Sequence, residues 1–543
     1  MNCSIEYPYL PVKTDHDNIQ ISINELWFNL SRKSDKGLSD FNRETLEILK
    51  LLKTKVRKDP SFMKYIEIMF LMIAHTRDIA FGRGERDIVY GMLYVWYQIF
   101  PVLAVYALDC VVNSRNQSDL TYGSWKDIAR LCDYIRRESH NDDHPLILTA
   151  IEMANRQLRL DILNLRDGKP ISNVSKWIPR EKSKRDWLYD MFVKDFFPRM
   201  HLSRDSFDIK LKSYFWHKSK YRKILSKLNA HNNTLEIKLC ENKWSRIDFR
   251  RDMTNEALKK YWNVLMNQKG DYMLFDRVES SQKALQYVQN KFTEVLTCNS
   301  SYNIPCSEFY SLGKLVKRAI DLSLAQRNFD PSSLEYIAHK YEIHIINTIW
   351  YRISSKYNKS LGNVIPIIDV SLTMAATDEI YSAIGYAYLI AEKSDIKNRM
   401  IAFSHQTEWI SWKETSFVDA INDIMSQLPS FTSKRFEGVV SLLKEASFNT
   451  RYNLNNTKLI LISDFDETIT DDHNIIYWNL SKQYVTPVNT NRFISGDSMI
   501  SFWQLCNILS TNNTQFEIVC NTLYNSRYAK MRDRFIKVTC DQQ

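Results

Sequence analysis

The chain has 543 residues, of which 44% are hydrophobic and 13% aromatic, which excludes a disordered protein and provides for two to four folded domains. Lysine and arginine outnumber aspartate and glutamate by 73 to 63, a net charge of +10 that suits a polyanionic partner without naming one. The nine cysteines are odd in number and none stands at the close spacing of a zinc or redox motif, so reduced thiols in a cytoplasmic setting are expected.

Residues 1–40 read as an N-terminal extension that lacks the charged and apolar pattern of a secretory signal. Residues 41–355 show helical periodicity, as in Leu46, Ile48, Leu49, Leu51 and Leu52, with almost no strand alternation. Breaks at Gly82 to Gly84, Pro101, Tyr122-Gly123, Gly168 to Pro170 and Pro179 cut the stretch into helices of ordinary length, which predicts an all-α, HEAT-like helical-repeat module. The longest apolar run, Met92 to Val112, is interrupted by Gln98, Pro101 and Asp109 and predicts two buried helices meeting at Pro101, with no membrane span and a soluble chain.

From about residue 360 the pattern changes. Val364-Ile-Pro-Ile-Ile-Asp-Val is a continuous apolar run ending in polar residues, as a fully buried parallel strand requires. Similar runs follow at Met400 to Phe403, Lys458 to Ser463 and Ile475 to Leu480, with helical segments at 377–393, 416–427 and 434–447 between them. This alternation predicts a doubly wound, Rossmann-like α/β domain over 360–543, with ligands at the C-terminal ends of its strands.

Two of those ends carry oxygen donors. Asp369-Val-Ser371-Leu-Thr373 aims a carboxylate and two hydroxyls at one point, and Asp464 ends a second strand beside it. Hard oxygens at this spacing suit one Mg²⁺ or Mn²⁺. The same aspartates equally serve to cap helices and bond loop backbone. The arrangement resembles the metal-ion-dependent adhesion site (MIDAS) of von Willebrand A domains, and that resemblance implies a further threonine ligand near Thr432 and an open position for a partner's carboxylate.

A rival resemblance is to haloacid dehalogenase-like phosphatases, through Leu461-Ile-Ser-Asp464-Phe-Asp466-Glu-Thr468 and Gly496-Asp497-Ser498. It would make Asp464 a nucleophile and Asp466 an acid/base. Only about thirty residues separate the two motifs, too few for the intervening elements, and Ser501 stands where the last aspartate would fall, so no enzyme is expected.

Seven segments in order resemble the family named domain of unknown function 2828, which joins a TROVE-like helical half to a von Willebrand A-like half. They are Thr76-Arg-Asp-Ile-Ala-Phe-Gly-Arg-Gly-Glu-Arg86, Tyr122-Gly-Ser-Trp-Lys-Asp127, Lys176-Trp-Ile-Pro-Arg-Glu-Lys182, Tyr221-Arg-Lys-Ile-Leu-Ser-Lys-Leu-Asn229, Ile462-Ser-Asp464, Trp478-Asn-Leu480 and Ile494-Ser-Gly496. A more distant likeness to the Ro ribonucleoprotein autoantigen implies binding of structured small RNAs or single-stranded RNA ends. Lys176, Arg180, Lys182, Lys184 and Arg185 interleave with Trp177 and Trp187, and a second run holds Lys218, Lys220, Arg222, Lys223 and Lys227 beside Trp216 and Tyr221. Cations would meet phosphates and flat rings unpaired bases, unless the tryptophans pack the core and the lysines only solvate a helix. Arg77, Asp78, Glu85 and Arg86 surround a Gly-x-Gly turn without a preceding strand, which predicts a buried ion-pair network between helices.

These readings converge on an RNA-binding ribonucleoprotein scaffold. The competing class is an adaptor that captures an acidic protein partner at the metal site. The family's distribution among eukaryotes and large DNA viruses also implies a virion setting.

Overall fold

In a computed structural model, the described residues are 14–113, 121–198, 207–241, 246–249, 261, 282–284, 286–287, 312–325, 334–357, 359–413, 416–450, 457–464, 475–485, 492–511 and 513–540. The chain is mostly helical, with a mixed six-stranded sheet in its C-terminal part. It packs as two compact units that do not follow chain order. The first takes residues 1–123, 463–496 and 500–543; the second takes 124–462 and 497–499.

The first unit opens with α1 (Asp15–Phe28), α2 (Asp35–Val56), α3 (Met63–Arg77), α4 (Asp87–Ile99) and α5 (Pro101–Val112). Pro101 takes the first position of α5, where its missing N–H costs nothing, so the apolar run becomes two helices as expected. Among the described residues no helix is long and apolar enough to cross a membrane. The end of α1 is bonded to a segment remote in sequence. The Asn29 amide donates to the Val485 carbonyl at 2.7 Å and its oxygen accepts from the Val485 N–H at 2.9 Å, so one side chain acts as a peptide group.

The second unit continues with α6 (Lys126–Ser139), α7 (Pro145–Arg166), α8 (Val174–Trp177), α9 (Asp186–Phe196), α10 (Phe207–His231), α11 (Leu235–Cys240), α12 (Leu312–Ala325) and α13 (Leu334–Ser355). Its α/β part holds β1 (Val364–Asp369), α14 (Leu372–Ala376), α15 (Glu379–Lys393), β2 (Arg399–Phe403), β3 (Thr407–Ser411), α16 (Phe417–Gln427), α17 (Glu437–Thr450) and β4 (Lys458–Ser463). The strand order is β3-β2-β1-β4, parallel except for β3 on β2. Central β1 is buried at all six positions, which accounts for its unbroken apolar run.

The last two helices before β1 belong with the α/β layer. Trp350 of α13 stacks on Phe417 with centroids 4.3 Å apart, and its indole N–H donates to Glu392 at 3.0 Å. Gly313 of α12 lies so close to α15 that a Cβ there would sit 2.5 Å or less from the Ser382 hydroxyl, at 2.4 Å.

The chain then returns to the first unit with β5 (Ile475–Asn479), β6 (Phe493–Ser495), α18 (Met499–Ser510), α19 (Gln515–Leu523) and α20 (Ala529–Cys540). β5 and β6 are parallel, and the Leu480 N–H donates to the Ser463 carbonyl at 3.0 Å. Both chain ends meet in one core. His75 stacks on Trp27 at 4.9 Å and bonds the Tyr528 hydroxyl at 3.0 Å. The Arg83 guanidinium donates to the Ser495 carbonyl and hydroxyl at 2.7 and 2.8 Å. The expected ion-pair network exists at Asp78, but its partner is remote in sequence: Arg527 grips this fully buried carboxylate with two bonds of 2.8 and 2.9 Å.

Two outcomes follow for this unit. Replacing Arg527 by methionine leaves Asp78 buried without its guanidinium, so urea unfolding should show a loss of about 3–5 kcal/mol. Burial pushes the His75 pKa down to about 3 from an ordinary 6.5, so the folded state holds the neutral ring. The contribution is therefore intact above pH 6.5 and lost as pH falls toward 3, by about 1.4 kcal/mol per pH unit. Stability measured from pH 7 to pH 4 should fall more steeply in the wild type than in His75→Gln, and equal slopes would contradict this assignment.

Candidate functional site

The parallel register sets Asp369 opposite Phe403, so the loops after β1 and β2 emerge at the same edge of the sheet. Directly after β1 the chain turns sharply. The Asp369 Oδ1 accepts the Ser371 N–H at 2.9 Å, and Ser371 stands at the N-cap position of α14 without a side-chain capping bond. The Ser371 and Thr373 hydroxyls then lie 3.0 Å apart and bond to each other. The expected grouping of Asp369, Ser371 and Thr373 is present.

Thr432 is brought to the same loops, but as an anchor. Its carbonyl accepts the Leu372 N–H at 3.2 Å, and its hydroxyl accepts the His405 N–H at 3.2 Å while lying 3.3 Å from the Ser404 hydroxyl and the Ser430 carbonyl. The Arg435 N–H bonds the Ser404 carbonyl at 2.8 Å, and Phe436 packs edge-on against Phe403. Anchored on both sides, the loop delivers Lys434 to the site. Its ammonium stands 2.9 Å from the Asp369 Oδ2; the lysine side chain is 16% exposed and the aspartate 0%.

This residue is absent from the sequence reading, although it stands two places after Thr432. A positive charge so near an oxygen cluster was the available signal. Its consequence for a divalent ion is direct: both Asp369 oxygens are engaged by the chain itself, and a cation placed on Oδ2 would have to displace an ammonium. The donor set as arranged does not fit Mg²⁺ or Mn²⁺. Asp464 follows β4 directly, is buried, and accepts from the Ser463 hydroxyl at 3.4 Å; it belongs to the first unit. Asp466 lies outside the described residues. Among the described residues no group of three or more His, Cys, Asp or Glu side chains is placed to hold a metal.

The basic segments fall into two kinds. Lys218 is buried against Asp190 at 2.7 Å and Glu181 at 3.7 Å. Burial opposes its charge, but the hydrogen bond and charge of Asp190 prevail and hold its pKa above the ordinary range. Arg185 pairs with Asp133, and Arg222 lies 3.4 Å from Glu181. Trp177 and Trp187 are half-buried, and cations of the chain cover them, Lys126 at 4.9 Å and Lys176 at 5.6 Å over the first and Arg136 at 4.4 Å over the second. Arg180, Lys182 and Lys184 are exposed, Lys182 with a left-handed backbone at φ 60°.

Helix α10 separates two faces. Lys218, Tyr221, Leu225 and Leu228 point inward, and the buried Tyr221 hydroxyl donates to Asn155 at 2.8 Å. Lys212, Trp216, Lys220, Lys223 and Lys227, spaced by three or four, are all exposed on the opposite face. Trp216 is 57% exposed, its neighbour Phe215 56%, and the Lys220 ammonium lies 4.7 Å over the Trp216 ring.

No family model matches this sequence. The chain is similar to an uncharacterized protein of Acanthamoeba polyphaga mimivirus, 22% identical over 408 residues. The similarity covers 71% of this chain and 62% of that protein, so this chain spans less than two thirds of the relative's length.

The anchoring role of Thr432 can be measured. Thr432→Val keeps the volume but removes the acceptor of the exposed His405 amide, so chemical denaturation should show a loss of about 0.5–1.5 kcal/mol, while Thr432→Ser should retain most of the stability. Equal stability of the valine variant and the wild type would show that the hydroxyl does not hold the loop.

Proposed function

We propose that the chain is an RNA-binding ribonucleoprotein scaffold whose outer α10 face takes single-stranded RNA. The observation that carries this reading is the exposed stripe Lys212, Trp216, Lys220, Lys223 and Lys227. From the first to the last of these the helix rises about 22 Å, at roughly 1.5 Å per residue, so the four ammonium groups track a backbone while one indole offers a stacking face. The Trp216 ring is more than half exposed, and Lys220 poised over it keeps a cation where a phosphate beside a stacked base would lie. Arg180, Lys182 and Lys184 add exposed cations in the preceding loop.

The seven ordered segments that resemble the domain of unknown function 2828 family, with its TROVE-like half, agree with the same reading, although no family model matches the chain. In this account no bond is made or broken, and the α/β part is structural or holds a partner. The viral relative makes a virion or an infected cell's cytoplasm a fitting setting.

Affinity dominated by phosphates depends on salt, because each contact to a single strand releases condensed counterion and contributes about 0.7 to the slope of log affinity against log salt. Replacing Lys220, Lys223 and Lys227 together by glutamine should flatten that slope by about two. Trp216→Ala should weaken binding by about 1–3 kcal/mol with the slope nearly unchanged. The test is fluorescence anisotropy with an oligoribonucleotide over a salt series. Binding that both variants leave intact, or no binding by the wild type, would overturn the proposal and favour a protein-interaction adaptor.

A further inference from the structure

The Asp-x-Ser-x-Thr turn after β1 has the donors of a divalent-cation site, yet every donor in the second unit already has a partner from the chain. Asp369 Oδ1 holds the Ser371 amide and Oδ2 the Lys434 ammonium, both at 2.9 Å. The Ser371 and Thr373 hydroxyls hold each other at 3.0 Å. The Thr432 hydroxyl accepts the His405 N–H and donates to the Ser404 hydroxyl. We infer that Lys434 is a tethered cation that takes the place of the divalent ion, so that this site is complete without metal.

Three features support the substitution. Asp369 is wholly buried, so its carboxylate oxygens need hydrogen bonds or an opposite charge, and Lys434 supplies both to Oδ2. Lys434 reaches it from a loop whose backbone is anchored at Thr432 and Arg435, on either side of the lysine. Its amine is monovalent and donates three hydrogen bonds at ordinary lengths, whereas Mg²⁺ demands six oxygens at close to 2.1 Å, a shell that these paired hydroxyls do not form. The inference concerns the α/β part alone and stands whether or not α10 binds RNA.

The test uses the full chain and the metals themselves. Titration of the wild type with MnCl₂, followed by calorimetry and by electron paramagnetic resonance of free Mn²⁺, should show no saturable site in the millimolar range, and neither MgCl₂ nor EDTA should move Tm. Lys434→Ala exposes the donor set: its Tm should fall, and Mg²⁺ or Mn²⁺ should restore it, with no restoration in the Lys434→Ala/Asp369→Ala double variant. Lys434→Arg should stay metal-indifferent. One Mn²⁺ bound by the wild type and lost in Asp369→Ala would overturn the inference, as would a folded Lys434→Ala that gains no cation affinity. If Lys434→Ala does not fold, the wild-type titration decides alone.

Discussion

A carboxylate at the end of a buried central strand must find hydrogen bonds or an opposite charge within the fold, and at Asp369 the second unit supplies both. The residue stands at the last position of β1, between two parallel neighbours, with no access to solvent. The loop after β2, the turn into α14 and the segment 430–436 are bonded to one another at Thr432 and Arg435, and the same segment brings Lys434 to Asp369. The first unit repeats the device at Asp78 and Arg527. In both places a carboxylate is met by a cation from a segment remote in sequence.

The same principle sorts the basic residues. Lys218, Arg185 and Arg222 face acidic partners within the fold and are occupied in holding helices together. The lysines on the outer face of α10 sit instead on an exposed surface beside an exposed tryptophan. Net charge alone does not distinguish these two populations. Helical spacing does, since a shift of two residues along α10 turns a side chain from the packed face to the solvent face.

Much of the fold was legible in the sequence. β1 and β4 announce themselves as apolar runs closed by Asp369 and Asp464, and Pro101 divides α4 from α5 where its fixed φ requires. β3 was missed because Thr407–Ser411 is a short edge strand, paired on one side and largely solvent-facing, so its composition carries no buried run. The division into an extension, a helical module and an α/β domain reflects chain order, whereas the packing joins Asn29 to Val485 and His75 to Tyr528. No local pattern encodes such pairings. Lys434 escaped for a related reason: a lysine in a loop is ordinarily solvated, and only the fold brings it to Asp369. At α10 the cations were visible, while the distinction between Lys218 and Lys220 waited for the burial of one face.

RNA binding through α10 is tested most directly by ultraviolet crosslinking of the native full-length chain to a uniform single-stranded RNA, with the adducts mapped by mass spectrometry. Adducts on the peptide carrying Phe215 and Trp216, suppressed by added salt, are the result this account predicts. Adducts confined to peptides outside α10 and the 180–185 loop, or no adduct at all, would contradict it.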